Sequence, residues 1–115
     1  MKKFCAIYLG TQAGMEKWKK LDDATRKQRE QQGMQAWQDW ANKNKSAIVD
    51  MGAPLGKSLK VTKGSSAPAT NDLGGYSILQ AESKEALAET LKGHPHFMMP
   101  EGFIDVVELM PLPGM

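Results

Sequence analysis

The two histidines of the chain fall together in His94-Pro95-His96, the short stretch whose residue types best suggest acid–base chemistry. A residue before proline is pushed toward extended backbone, and in an extended segment side chains two apart point the same way. The imidazoles are therefore expected to converge on one substrate or one metal ion, since imidazole both exchanges protons near neutrality and ligates metals. A stable metal site needs a third or fourth ligand, and no neighbour in sequence supplies one, so neither metal nor cofactor is expected. Capping of a helix end and an ordinary loop are the plainer readings. Asp50 is the single charge in the apolar run Ala47-Ile48-Val49-Asp50-Met51. Buried, its carboxyl would rise in pKa and be poised as a base; exposed, it would cap the glycine-rich turn from Gly52 to Gly56. Asp105 is a weaker case of the same kind.

Around these groups, Tyr8, Trp37, Trp40, Tyr76 and Phe97 are expected to line a ligand pocket between a sheet and a long helix. The competing reading is that aromatic residues at helical spacing are simply core. Met98 and Met99 are soft apolar surface suited to a lid or a subunit contact. Cys5 lies inside an apolar run, where a thiol behaves as a small hydrophobe rather than a nucleophile. The glycines at 10, 14, 74 and 75 lack the Lys-Ser/Thr or strand-to-helix context of a phosphate loop.

Local patterns supply the elements that must position those residues. Phe4–Leu9 (FCAIYL) is a continuous apolar run closed by Gly10, which predicts a strand covered on both faces. Met15, Trp18 and Leu21 have helical spacing, and Asp22-Asp23 then cap a long helix from Ala24 to about Lys45. Its apolar stripe is Met34, Trp37, Trp40 and Ala41; its polar first half should project past the sheet, and the whole would be ~30 Å long. Strands follow at Ala47–Met51 and Ser58–Thr62, and the composition of residues 63–72 (KGSSAPATND) predicts a loop. Another strand over Tyr76–Ala81 leads to a helix capped by Ser83 and stopped at Gly93, then to a last strand over Phe103–Leu109.

That order, β-α-β-β-β-α-β, predicts a single α+β domain over residues 1–115, a ferredoxin-like sandwich with both helices on one sheet face. Phe4–Leu9 and Phe103–Leu109 are nonetheless apolar on both sides. Large bare apolar patches are rare on monomers, so a homodimer joined through the sheet faces is expected.

Composition narrows the partners. The 115 residues carry 15 basic and 13 acidic side chains, a net charge of +2, without the basic footprint of a nucleic-acid binder. The lysines and arginines between Lys17 and Arg29 alternate with acids and read as a solvated helix face. No apolar run approaches the ~20 residues of a membrane span. The basic Met1-Lys2-Lys3 is followed by too short an apolar stretch for a signal peptide, and a lone cysteine gives no internal disulfide. A cytoplasmic setting is expected.

The segments FCAIYLG, MQAWQDWANKNKSAIVDMGAPLG, LGGYSILQAES and GHPHF with IDVVELMPLPG together resemble the YCII-related proteins over nearly the whole chain. The resemblance implies a dimeric α/β-barrel protein of a mostly bacterial family whose members range from proposed small-molecule enzymes to domains attached to other modules. Many relatives carry Asp-Gly-Pro-Phe before the Gly-Gly-aromatic strand, where this chain reads SSAPATND. The expected function is binding of a small, partly apolar molecule, with proton-transfer chemistry by His94, His96 and Asp50. The alternative is a non-catalytic homodimeric interaction or regulatory module that docks a partner through its dimer surface or its projecting helix at 24–33.

Overall fold

The computed structural model describes residues 1–114. Six strands and three helices follow one another as β1 (Lys2–Leu9), α1 (Gln12–Lys19), α2 (Asp23–Lys43), β2 (Ile48–Pro54), β3 (Ser58–Thr62), β4 (Ser65–Ala69), β5 (Leu73–Ala81), α3 (Lys84–Leu91) and β6 (Phe103–Glu108). Single 3₁₀ turns over Lys45–Ala47 and Pro95–Met98 complete the chain. The fold is α+β. Four strands form one sheet in the order β2-β5-β1-β6, with every neighbouring pair antiparallel.

Capping chemistry sets the helix starts. The side chains of Thr11, Asp22 and Ser83 accept from the backbone N–H groups of Gly14, Thr25 and Ala86 at 3.0, 2.8 and 3.0 Å, satisfying donors that a first turn leaves unpaired. α2 runs unbroken through Gly33 for 21 residues. Its first half is mostly exposed, with Met34 67% exposed, and the buried stripe shrinks to Trp40 with Trp37 packed beside it.

Alternation on β1 sorts the sheet into two faces. Phe4, Ala6 and Tyr8 point into a core completed by Leu79 of β5, Trp40 of α2, and Leu87 and Leu91 of α3. Cys5, Ile7 and Leu9 point the other way, opposite Ile78, Tyr76 and Leu73 on β5 and Val107, Asp105 and Phe103 on β6. No described helix covers that face. Phe103 and Val107 are 42% and 48% exposed, and the molecule is only 19 Å thick along its shortest axis, the depth of one sheet and one helix layer.

Within the loop that composition predicts over residues 63–72, residues 65–69 form a strand. Ser65–Ala69 pairs antiparallel with Ser58–Thr62 in full register, turning at Lys63-Gly64 with Gly64 in the left-handed region at φ +85°. Each strand of a two-stranded ribbon has one outer edge, where the missing N–H of Pro68 is tolerated. The ribbon stands apart from the main sheet.

Candidate functional site

His94 enters its position because α3 stops at Leu91 and the following proline holds it extended, at φ −66° and ψ 141°. The chain then tightens into the Pro95–Met98 turn rather than staying extended, so the two imidazoles take different environments. The backbone N–H of His96 donates to His94 Nδ1 at 3.0 Å. In a neutral ring this places the His94 proton on Nε2. That nitrogen is buried without a partner, as is the indole N–H of Trp40.

An aromatic cage closes round His94, which is 2% exposed. Tyr8 stacks on it with ring centroids 4.9 Å apart, and Trp37 and Trp40 meet it edge to face at 4.4 and 4.6 Å. Removal from water, with the repulsion of His96 second, lowers its pKa from 6.5 to about 4. His94 is thus a neutral ring at physiological pH.

His96 also sits against Tyr8, at 5.5 Å between centroids, and is 6% exposed. Its Nε2 lies 2.6 Å from the Leu9 carbonyl oxygen. A carbonyl only accepts, so Nε2 carries the proton and the neutral ring keeps its lone pair on Nδ1. The Tyr8 hydroxyl donates to Ser77 Oγ at 2.9 Å, and the Ser77 hydroxyl donates to the Met51 carbonyl at 2.7 Å. Burial raises the Tyr8 pKa, with a smaller opposing effect from Ser77. The phenol stays protonated, and the relay ties β1, β5 and β2 together on the helix side of the sheet.

Two clefts open beside this cluster. The larger, about 1080 Å³, lies between the first half of α2 and the ends of β2 and β5. Tyr8, Trp37, Tyr76 and His96 line it, with Trp18, Met34, Met51, Met98 and Met99 supplying apolar wall. The smaller, about 700 Å³, lies between the second half of α2 and residues 92–98, and is lined by Trp40, His94, Phe97, Lys43 and Lys92. The structure thus divides the expected ligand residues between two hollows. Tyr8, Trp37 and His96 share one, with Tyr76 at its β5 border in a position that alternates to the open face; Trp40, His94 and Phe97 share the other.

Asp50 joins neither cleft. It is exposed, and its carboxylate accepts from the Gly52 N–H at 2.8 Å, so it caps the kink in β2 and is not brought to the histidines. Asp105 lies opposite Ile7 on the open face. Among the described residues, no three His, Cys, Asp or Glu side chains come together as a metal site would require. Ser77 and Trp18 were not legible as site residues. Serine in a strand gives no signal, and the spacing of Trp18 with Met15 and Leu21 reads as a helix face.

No protein-family model matches the chain, and no curated protein is significantly similar to it. No described helix is long and apolar enough to cross a membrane.

Proposed function

We propose that this is a YCII-related, homodimeric protein of ferredoxin-like topology that binds a small, partly apolar molecule in the larger cleft and moves a proton on it. The observation that carries the reading is the state of His96. Its Nε2–H is committed to Leu9, so Nδ1 is the basic nitrogen of a histidine lining a cleft that sets aromatic and methionine side chains beside Arg29, Glu30, Gln32 and Gln38 of α2. Such walls suit a ring-sized ligand, and methionine adapts to its outline. Nδ1 takes a weakly acidic proton from one ligand atom and returns it to a neighbouring atom, a net isomerisation that consumes no co-reactant. His94 acts as a positioning residue, accepting from the His96 backbone and stacking on Tyr8.

The sheet order β2-β5-β1-β6 with α2 and α3 packed on one face supports the ferredoxin-like assignment. The apolar open face supports a homodimer closed through the sheets, the arrangement that the resemblance implies. A cytoplasmic setting belongs to the same proposal.

His96→Gln is the decisive variant, because a glutamine amide can still donate to the Leu9 carbonyl but has no basic nitrogen. In a thermal-shift screen of ring-sized carbonyl compounds, ligands that stabilise the wild type are expected still to bind the variant. Exchange of their acidic C–H for deuterium, followed by NMR, is expected to fall by about a hundredfold or more. Equal exchange rates in the two proteins would remove His96 as the base.

The sealed position of His94 and the capping role of Asp50 favour a second reading, a non-catalytic dimeric module. That reading expects no ligand of this class to shift the wild-type melting temperature.

A further inference from the structure

The β3–β4 ribbon is an arm without a seat. It leaves the body after Pro54 and returns at Leu73, forms its own two-stranded sheet, and exposes Leu59 and Val61 at 59% and 71%. These two share one side of the ribbon with Ser66 and Pro68. A lone hairpin is marginally stable in water, so its apolar side calls for a surface. We propose that the arm clasps a second copy of this chain along the β6 side of its open sheet face; this rests on the homodimer proposed above.

Three observations favour that occupant. Area is the first. Four strands spaced ~4.8 Å apart and ~20 Å long offer a footprint of roughly 400 Å², about half of what each partner of a stable complex buries. An arm of five-residue strands covers roughly 170 Å², and since each chain gives an arm and receives one on its sheet face, face and arm together come to roughly 570 Å² per chain, at the low end of stable interfaces.

Position is the second. The arm springs from β2, one edge of the sheet, and β6 is the other. A two-fold axis running along the strands sets the β2 edge of one chain over the β6 edge of its mate. That edge exposes Phe103, Val107 and Leu109.

Charge is the third, and it excludes pairing of arm with arm. From Lys57 to Ala69 the arm has three lysines and no acid, so two arms repel. On the face turned away from the helices, β6 carries Asp105 and no basic residue.

Sedimentation velocity on the wild type, Leu59→Lys/Val61→Lys and Val107→Lys tests this. The wild type is expected to be a dimer, and both variants are expected to raise the dissociation constant by at least about tenfold. Trypsin cleavage after Lys60 and Lys63 should slow as wild-type concentration rises, which reports docking without any substitution. A wild type monomeric up to about 100 μM overturns the dimer and the arm together. A dimer broken by Val107→Lys but indifferent to the arm variant, with cleavage independent of concentration, overturns the arm alone. A dimer weakened by the arm variant but not by Val107→Lys overturns the β6 seat.

Discussion

His94 shows how burial changes what a residue can do. Its folded pKa lies below the unfolded value, at about 4 against 6.5. The unfolded chain therefore binds a proton that the folded one refuses as pH falls through that interval. Stability is unaffected above pH 6.5, declines below it, and is lower by on the order of 3 kcal/mol once pH drops beneath 4. In an NMR titration the His94 ring signals are expected to hold still from neutral pH down to about 5 and to move only near 4. A midpoint close to 6.5 would show that the cage admits water. The His94-Pro95-His96 motif was legible in the sequence as the place to look. Its division into a sealed ring and a ring with a usable lone pair was not, because that depends on Tyr8, Trp37, Trp40 and the Leu9 carbonyl, all brought from elsewhere in the chain.

Among the elements, β2 is the one whose irregularity matters. Gly52 has φ +70°, and a Cβ there would fall 1.8 Å from the Tyr76 carbonyl oxygen. Gly52→Ala is therefore expected to cost about 3 kcal/mol or more, read as a drop in chemical-denaturation midpoint. The same variant should disturb the Ser77–Met51 bond and with it the cleft wall. Leu87→Ala, which empties a fully buried site between α3 and the sheet, is expected to cost about 2–5 kcal/mol by the same measurement. If Asp22→Ala lowers stability by about 1 kcal/mol, the cap at the start of α2 contributes as its geometry implies.

These features divide into local and non-local ones, and the division decided what sequence could reveal. Helix caps, the β1 run and the length of α2 depend on neighbours along the chain and were readable. The β3–β4 ribbon was not, since serine, alanine and proline in Ser65–Ala69 carry no strand signature and the pairing with Ser58–Thr62 alone creates it. The Tyr8–Ser77 bond, 69 residues apart in sequence, leaves no trace in either segment.

At the scale of the whole molecule, the thin two-layer body leaves one sheet face and one arm as surfaces still to be matched. Raising salt should loosen the arm more than the apolar face, because the arm's three lysines face Asp105 of β6 while the face itself is held mainly by apolar contact. Sedimentation of wild type and Leu59→Lys/Val61→Lys across a salt series is expected to show a steeper dependence for the wild type.

β1 has a further consequence through its place in the sheet. Of the described strands it is made before the other five, yet it lies between β5 and β6, the two made after the rest. Until β5 has been made FCAIYL has no native neighbour on either edge, and a two-sided apolar segment in that condition is prone to stick to other nascent chains. The order in which this chain is made thus runs against the order in which its sheet closes. A burden falls on whatever shields nascent chains in the cell, and it should show as aggregation when translation stalls before residue 103.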